Sequence, residues 1–495
     1  MTSQTITTVS ELGDIEASET VQTQLAVIGA GPGGYAAAFM AADLGTQVTL
    51  IDVEPNPGGT CLYRGCISSK ALLHVAKLIT DAREARAYGL TFQDPDIDLD
   101  RVRASVNLVI KHLTGGLGQL SKARKIHYIQ GRASFTDSQT LLVVNDDGDE
   151  RIVAFDKCII ASGSRPAIPD EFLIDSPRLM TSTTALELPD IPTTLLVIGG
   201  GYIGLEIGSI YATFGSKVTF VEMAGDVLPG ADDDLVHFLK VRMDHLAHRV
   251  ILNARVTEMS EHDHAIQAVI QGEGIQDKQE FEKILVAVGR RPNSSGLGLA
   301  ATAVTVDQSG FIVVDEQRRT TDPNIYAIGD ITGFPMLAHK ATHEGRTVAE
   351  VIAGRNAEFR PRAIPAVVYT DPEIAWCGLT EMEANRQGLP VKVAKFPWIA
   401  SGRAATIHRN DGLTKIIADP DTDQVLGVGI VGTNAGELIA EGALAIEMGA
   451  LASDIELTIH AHPTLSETIM ESAETIFGHS THTLQHANIR KQSQV

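Results

Sequence analysis

The sequence predicts an α/β fold in which two similar units, each built on a parallel sheet, precede an α+β domain. One arrangement occurs twice, at 24–52 and at 194–222: a short apolar strand pattern, a glycine-rich turn, a helix pattern and a second strand. Strands that alternate with helices in this way form parallel sheets. From about residue 361 the pattern changes to short apolar runs followed by two helix patterns, which is typical of an α+β domain.

The individual elements follow from runs of five or six apolar residues, which fit buried strands when glycine or polar residues bound them. Strands are predicted at 24–29, 47–52, 194–199, 217–222, 324–330, 366–370, 391–396, 414–418 and 425–430. Helices are predicted at 35–44, 202–213, 435–449 and 464–476. The two copies of the strand–turn–helix arrangement therefore indicate two Rossmann-like units.

Length and charge limit the class of protein. The chain has 495 residues, enough for about three domains, and its 40 Lys+Arg and 62 Asp+Glu give a net charge of −22. This charge argues against nucleic acid and against an anionic membrane surface as partners. Four cysteines do not form the disulfide framework of a small secreted protein. The first twenty residues contain acids but no Lys or Arg, unlike a targeting peptide, so we expect a cytoplasmic protein.

Each copy contains a G-x-G-x-x-G motif between its strand and its helix, followed by an acid at the same distance. The motifs consist of Gly29, Gly31, Gly34 and Asp52, and of Gly199, Gly201, Gly204 and Glu222. The first glycine makes a tight turn, the second lets a pyrophosphate approach the backbone, and the third allows close helix–strand packing. The acid accepts a hydrogen bond from a ribose hydroxyl. Two dinucleotide-binding domains are therefore predicted, because coincidental turns would not share this whole context.

The second motif favours NAD over NADP. Glu222 would repel a 2′-phosphate, and no Arg or Lys occurs from Met223 to Gly230 to receive one. A shorter element also occurs twice, IIASGSRP at 159–166 and LVAVGRRPN at 285–293. Its glycines, Gly163 and Gly289, are predicted to belong to the cofactor sites.

Cys61 and Cys66 lie in the segment GGTCLYRGCISSK. Their sulfurs would lie about 140° apart on an ideal helix, so a disulfide requires a helix start or a distorted turn, which Gly58, Gly59 and Gly65 allow. A thiol near a helix N-terminus has a lowered pKa, which suits redox chemistry. The alternatives are two structural thiols or half of a metal site. Cys158 and Cys377 stand alone among apolar residues and are expected in the core.

The second reactive segment is IHAHPTLSE, which contains His462 and Glu467. A carboxylate bonded to one imidazole nitrogen fixes the tautomer and makes the other nitrogen a base. The alternative is a packed or capping histidine. His460 is expected to orient the segment. The histidines at 262, 264, 479, 482 and 486 have loose metal-like spacing but lie in polar stretches, so no metal site is predicted.

Over residues 22–486 these motifs resemble the flavoprotein disulfide reductases and, within them, the dihydrolipoyl dehydrogenases. The resemblance implies FAD at the first glycine motif, NAD at the second, and a redox disulfide on a helix against the flavin. Cys61 would exchange with substrate and Cys66 would be the charge-transfer thiol. The remaining implied roles are an ion pair near the flavin (Lys70, Glu206), a ribityl-binding acid (Asp330), flavin contacts (Leu337, Ala338, His339), and a base that acts on the partner subunit's disulfide (His462, Glu467).

The same resemblance implies the domains and partners. An acidic flexible tail, 1–21, would precede a discontinuous FAD-binding domain (22–165 and 290–360), an NAD-binding domain (166–289) and an interface or dimerisation domain (361–495). The implied protein is a homodimer that oxidises protein-bound dihydrolipoamide with NAD⁺ as a component of a 2-oxoacid dehydrogenase or glycine cleavage complex. Its implied partners are the lipoyl domain and the acyltransferase core of a 2-oxoacid dehydrogenase complex.

Two alternatives remain for the function. A glutathione- or mercuric-reductase-like activity is the first, although no cysteine pair follows Cys377 and basic residues are missing after Glu222. A non-catalytic subunit of such a complex is the second.

Ser68 stands where the family usually has proline, and a small effect on that turn is expected.

Overall fold

The structure, a computed structural model, describes residues 20–272 and 274–484. The predicted acidic tail lies almost wholly outside these residues, as does His486. The chain divides into two compact units. They consist of Met1–Gly59, Thr114–Ser164 and Pro292–Phe359, and of Thr60–Leu113, Arg165–Arg291 and Arg360–Val495. The three-domain division stays a prediction.

The helices and strands are numbered in chain order. The helices are α1 (Pro32–Asp43), α2 (Gly59–Arg64), α3 (Cys66–Glu84), α4 (Leu99–Ala123), α5 (Ser182–Leu186), α6 (Tyr202–Phe214), α7 (Asp233–Leu246), α8 (Ala338–Ile352), α9 (Glu381–Gln387), α10 (Gly402–Thr406), α11 (Ala435–Met448), α12 (Ala452–Leu457) and α13 (Glu467–Ile476). The strands are β1 (Val21–Ile28), β2 (Val48–Asp52), β3 (His127–Gln130), β4 (Arg132–Asp137), β5 (Thr140–Val144), β6 (Glu150–Ile160), β7 (Ser164–Pro166), β8 (Leu179–Met180), β9 (Thr194–Ile198), β10 (Lys217–Val221), β11 (Arg249–Ile251), β12 (Ala254–His262), β13 (Ala265–Gly272), β14 (Ile275–Phe281), β15 (Lys283–Val286), β16 (Arg290–Pro292), β17 (Ile325–Ala327), β18 (Ala366–Val368), β19 (Glu373–Gly378), β20 (Lys392–Pro397), β21 (Leu413–Ala418) and β22 (Val425–Gly432).

The first unit is built on a sheet whose centre is β1. This strand pairs in parallel with β2 on one side, where Leu25 is opposite Val48, and with β6 on the other. β3 continues the parallel part beyond β2, and β17 pairs in parallel with β6. β5 and β4 extend the sheet in antiparallel fashion. Helices α1 and α8 pack against each other, and Pro32 in the first turn of α1 is well placed because its missing N–H would be unpaired there anyway.

The second unit contains a parallel sheet in the order β11-β10-β9-β15-β8. Every residue of β9 after the first is buried, which matches a strand covered on both faces. The antiparallel strands β12, β13 and β14 form a separate small sheet. The C-terminal part of the unit is an antiparallel sheet in the order β18-β19-β22-β21-β20, on which α11 and α13 pack. The predicted α+β texture after residue 361 therefore matches this sheet.

One helical break positions the reactive cysteines. α2 ends at Arg64, and Gly65 adopts φ −147° and ψ −113°, so that α3 begins anew at Cys66. α3 packs against α6 of the same unit. Within the described residues, no helix has both the length and the apolar composition needed to cross a bilayer.

Candidate functional site

The first glycine loop is built by close backbone contacts. β1 ends at Ile28, and Gly29 has φ +94°; a Cβ there would lie 2.4 Å from the carbonyl oxygen of Ala161. A Cβ on Gly34 would lie 1.8 Å from the carbonyl oxygen of Gly29. Both positions therefore require glycine for the fold itself, as predicted for the turn and for helix–strand packing.

The second loop repeats this construction. Gly199 has φ +110°, and its Cβ would lie 2.4 Å from the carbonyl oxygen of Ala287. A Cβ on Gly204 would lie 2.2 Å from the oxygen of Gly199. The two loops thus share the same steric solution.

For the middle glycine of each loop, the described residues provide no such steric reason. Gly31 has φ −71° and ψ −176°, and the nearest atom to its Cβ would be 3.9 Å away. Gly201 has φ −76° and ψ 173°, and no atom of the described residues would lie within 4 Å of its Cβ. Any residue adopts such extended backbone, so space for a ligand is what glycine preserves there. Each loop also opens a helix, α1 or α6, whose N-terminal N–H groups favour a pyrophosphate. The residues present therefore fit dinucleotides.

The two acids brace these loops. Asp52 Oδ2 accepts the N–H of Ala30 at 2.5 Å, and its Oδ1 accepts that of Glu54 at 2.9 Å. Glu222 is bonded in the same way: Oε2 accepts the N–H of Gly200 at 2.5 Å, and Oε1 accepts the N–H two residues after the acid at 2.7 Å. A carboxylate oxygen has a second lone pair, so a ribose hydroxyl still finds an acceptor. This bracing was not predicted, because the motif describes only the ligand contact.

The cysteine pair lies at the break between α2 and α3. The hydrogen bond from the Cys61 thiol, opposed by burial and assisted by the charge of Lys70, lowers the pKa of Cys66 to about 7. The same hydrogen bond, together with burial, raises the pKa of Cys61 far above its ordinary value. Cys66 is therefore the more acidic of the two thiols, and Cys61 is its hydrogen-bond donor. The sulfurs meet because Gly65 interrupts the helix, which is the distortion that the spacing required.

At the position where the family usually has proline, a serine hydroxyl bonds to the backbone. Ser68 is buried, and its Oγ donates to the carbonyl oxygen of Gly65 at 3.0 Å. Ser69, also buried, donates in the same way to the carbonyl oxygen of Cys66 at 3.1 Å. Each buried hydroxyl therefore has a backbone acceptor within the first turn of α3, so serine fits the position where the family usually has proline.

Lys70 and Glu206 form the predicted ion pair. Lys70 Nζ lies 2.8 Å from Glu206 Oε2, and the glutamate side chain is only 4% exposed. The other carboxylate oxygen, Oε1, accepts the backbone N–H of Tyr369 at 3.0 Å. The ring of Tyr369 lies beneath the ammonium, 4.5 Å from its centroid. Sequence reasoning assigned Tyr369 only to the interface domain and missed this contact.

Asp330 lies in a helical turn that a buried acid supports. Ser164 Oγ donates to Asp330 Oδ2 at 2.5 Å. The neighbouring N–H of Gly329 donates to Glu344 Oε2 at 2.6 Å, and Glu344, fully buried, pairs with Lys340 at 3.1 Å. Leu337 caps α8, which Ala338 and His339 begin. Gly163 and Gly289 each follow the carboxyl end of a parallel strand, β6 and β15, the edge where such sheets bind ligands.

His462 and Glu467 form the predicted pair. His462 Nδ1 lies 2.9 Å from Glu467 Oε1, and the N–H of Thr464 donates to Oε2 at 2.7 Å. Burial raises the pKa of the Glu467 carboxyl, but these hydrogen bonds and the charges of His462 and His482 outweigh it, so its pKa lies below the ordinary value. Because an ionised carboxylate can only accept, this contact favours the tautomer with the proton on Nδ1, which leaves Nε2 as an acceptor. The imidazole is 72% exposed.

The remaining histidines have other partners. His460 Nε2 lies 2.8 Å from Glu441 Oε1, and its Nδ1 lies 2.8 Å from the carbonyl oxygen of Thr458, which holds the segment as expected. His479 pairs with Glu456 at 2.7 Å. Among the described residues, no hydrogen bond links His462 to either cysteine.

The described residues contain one group with metal-like geometry, and no histidine or cysteine belongs to it. It consists of Asp232, Asp234 and Glu381. A lysine, Lys415, already fills it, with its ammonium 2.6 Å from Asp232 and 2.7 Å from Asp234. The two isolated cysteines, 158 and 377, are buried in the core, where burial raises the pKa of each thiol.

Paired cysteines, two glycine loops that fit dinucleotides and a histidine–carboxylate pair are together typical of flavin- and pyridine-nucleotide-dependent disulfide oxidoreductases. Residues 23–345 match the pyridine nucleotide-disulphide oxidoreductase family, and residues 364–473 match its dimerisation domain. The chain belongs to this family, the class I flavoprotein disulfide reductases. The predicted α/β fold, the oxidoreductase class and the cofactors FAD and NAD are confirmed at this level.

Relatives carry a more particular name. The chain is 48% identical over 464 residues to the dihydrolipoyl dehydrogenase of Haemophilus influenzae, covering 94% of this chain and 97% of that protein. It is 46% identical to the enzyme of the same name from Vibrio cholerae, covering 93% and 97%. Among solved structures, LpdA from Mycobacterium tuberculosis superposes with a TM-score of 0.85 at 28% identity, covering 92% and 99%. The HOCl-induced disulfide reductase RclA from Escherichia coli has a TM-score of 0.81 at 28% identity, covering 91% and 99%.

Proposed function

We propose that this chain catalyses the dihydrolipoyl dehydrogenase reaction, the oxidation of protein-bound dihydrolipoamide to lipoamide with NAD⁺ as acceptor. The observation that carries the proposal is the pair of free cysteines, Cys61 and Cys66, at the junction of α2 and α3, with Lys70 one helical turn after Cys66, where its charge lowers the pKa of that thiol. Such a dithiol matches a substrate that is itself a dithiol. Relatives that are 40–48% identical over most of the chain and bear this name support the choice of substrate.

Different residues of the chain carry out the steps of the thiol–disulfide exchange. Nε2 of His462, in the second copy of a dimer, takes the proton of a substrate thiol, and Glu467 stabilises the resulting imidazolium. The substrate thiolate attacks Cys61 in the oxidised pair and releases Cys66 as thiolate. The second substrate thiolate then displaces Cys61, so that lipoamide leaves oxidised and both cysteines remain reduced. Lys70 stabilises the negative charge on Cys66.

The first glycine loop, Asp52 and Asp330 would hold FAD, with Leu337, Ala338, His339 and Gly163 beside it. The second loop, Glu222 and Gly289 would hold NAD, and the acid disfavours a 2′-phosphate. When bound, FAD would supply the two-electron redox chemistry that links the dithiol to NAD⁺. The proposed domains are those predicted: 22–165 with 290–360 for FAD, 166–289 for NAD, and 361–495 for the interface.

The dimerisation domain supports a homodimer. We propose a cytoplasmic homodimer that receives the lipoyl domain and binds the acyltransferase core of a 2-oxoacid dehydrogenase complex. With a charge of −22 per chain, it would attract a basic docking segment, and that affinity should fall steeply as salt is added. An affinity independent of ionic strength would contradict the electrostatic part of this proposal.

The test compares substrates and variants. NAD⁺-linked oxidation of dihydrolipoamide should exceed NADPH-linked reduction of glutathione disulfide and of Hg²⁺, and anaerobic dihydrolipoamide should produce a long-wavelength thiolate–flavin absorption band. Cys66→Ser should abolish turnover with flavin still bound, whereas Cys377→Ala, which removes a core cysteine, should not. Normal turnover in Cys66→Ser would refute the assignment. Preferred reduction of glutathione disulfide would favour the other reductases.

A further inference from the structure

Tyr369 contacts both members of the ion pair beside the redox cysteines. Its ring lies under the Lys70 ammonium, 4.5 Å from centroid to Nζ. Its backbone N–H donates to Glu206 Oε1 at 3.0 Å, while the other carboxylate oxygen binds Lys70 at 2.8 Å. The ammonium is therefore held from two sides, by the carboxylate of Glu206 and by the aromatic face of Tyr369. Tyr369 supplies that face and also binds the carboxylate through its backbone N–H.

We propose that Tyr369 is a positioning residue of the redox centre, whose ring fixes the Lys70 ammonium where its charge acts on Cys66. The proposal rests on the proposed function, because it assigns Lys70 and Cys66 to the dithiol chemistry. It adds a residue from the segment after β18 to a centre otherwise built on α2, α3 and α6.

Lysine needs such a second contact. The Lys70 side chain is 33% exposed, so the pair with Glu206 alone leaves its long stem free to rotate about one point. An aromatic face attracts an ammonium, and the attraction is stronger the further the site is desolvated. Lys70 lies one helical turn after Cys66 on α3, and its charge lowers the pKa of that thiol. The position of the ammonium therefore determines how strongly the thiolate is stabilised.

The segment that carries the ring is itself held firmly. Asp371 pairs with Arg409, which also lies 2.9 Å from Asp411, and with Arg242 at 3.5 Å. Thr370 Oγ1 donates to the carbonyl oxygen of Pro372 at 2.8 Å. The ring therefore presents a fixed surface to the lysine.

The charged groups around Tyr369 keep its ring neutral. Burial raises the pKa of its hydroxyl, and the negative groups Glu373, Glu206, Glu437 and Cys66 raise it further. The phenol therefore stays protonated near neutral pH and adds no charge to the centre. The ring, rather than the hydroxyl, is the part that acts on Lys70, which makes Tyr369→Phe the matched control for Tyr369→Leu.

The experiment measures the thiolate directly. Reduced, flavin-loaded protein is alkylated with iodoacetamide over a range of pH, and the rate at Cys66 is followed by peptide mass spectrometry. In Tyr369→Leu the apparent pKa of Cys66 should rise by about 0.5–1 unit, because a partly released ammonium stabilises the thiolate less. In Tyr369→Phe it should equal the wild type. Equal flavin content in all variants establishes that they are folded.

A second background separates positioning from general damage. With Lys70→Met already present, adding Tyr369→Leu should cause no further shift, because no ammonium remains to be placed. A further shift in that background would overturn the inference, as would Tyr369→Leu that titrates like the wild type. If the wild-type Cys66 itself shows no lowered pKa, the proposed redox function fails first, and that result is distinguishable from the other two.

Discussion

Replacing the buried Lys415 by methionine should destabilise the protein strongly. The lysine lies on β21 with no exposed side-chain surface. Its ammonium lies 2.6 Å from Asp232, 2.7 Å from Asp234 and 3.1 Å from Glu381, and it thereby connects the start of α7 and of α9 with the C-terminal sheet. Methionine keeps the aliphatic length and removes only the charge.

The magnitude follows from the charges that remain. Three carboxylates face two ammonium groups, those of Lys415 and Lys395, so the variant leaves three negative charges with one partly exposed counter-charge. Removing one partner of a buried ion pair costs about 3–5 kcal/mol. Lys392 provides the matched control, because its ammonium is also 2.7 Å from a carboxylate, that of Asp423, but its side chain is 42% exposed. Lys392→Met should cost about 0–1 kcal/mol.

Urea unfolding of the flavin-loaded proteins, followed by circular dichroism, measures this difference. Burial raises the pKa of Asp234, but the hydrogen bonds from Lys395 and Lys415 lower it by more than burial raises it. The pKa of Asp234 in the folded protein therefore lies below its ordinary value of 3.8. The stabilisation is therefore present above that pH and is lost as the pH falls through the folded pKa. The gap between wild type and Lys415→Met should shrink in acid. If Lys415→Met unfolds at the same urea concentration as Lys392→Met, the reasoning about burial is wrong.

Three further predictions concern the candidate site. Cys61→Ala should raise the pKa of Cys66 from about 7 toward its ordinary value of 9.0, because it removes the hydrogen bond that lowers this pKa most. Cys61→Ser keeps a donor and should retain most of the lowering. The rate of iodoacetamide alkylation at Cys66 against pH measures both, and identical profiles for the two variants would contradict the prediction. Gly201→Ala should fold with normal FAD content but weaken NADH binding at least about tenfold in a fluorescence titration, since its Cβ meets only the ligand, while Gly204→Ala should fail to fold. Glu467→Gln should lower kcat about 10- to 100-fold, because the base loses the carboxylate that orients it, and Glu456→Gln, which alters the pair with His479, should not; equal rates for these two variants would refute the role of Glu467.

The parts of the structure that sequence could predict are local. The two glycine loops, their strands and the acids Asp52 and Glu222 lie within short stretches, so spacing alone specifies the geometry. The pairing of His462 with Glu467 was predicted for the same reason. The cysteine pair was predicted only as one of several possibilities, because an ideal helix separates the sulfurs and only the break at Gly65 brings them together.

Contacts between distant segments could not be predicted in this way. Glu206 and Tyr369 are far apart in sequence, and neither one's surroundings indicate that a backbone N–H meets a buried carboxylate. The support of Asp330 by Ser164 is of the same kind. The sheet of β12, β13 and β14 was also missed, because many of its residues are polar and exposed and produce no apolar run.

The short segment between Cys61 and Cys66, which contains the break at Gly65, also limits how far the redox state of the cysteines affects the stability of the protein. A disulfide between Cys61 and Cys66 would close a loop of only a few residues. By restricting the unfolded chain, such a loop stabilises the folded state by about 2 kcal/mol, compared with about 4.7 kcal/mol for a loop of a hundred residues. Oxidised and reduced forms should therefore have similar melting temperatures. An enzyme that opens and closes this bond at every turnover would then pass through its catalytic cycle without a large periodic change in its resistance to unfolding.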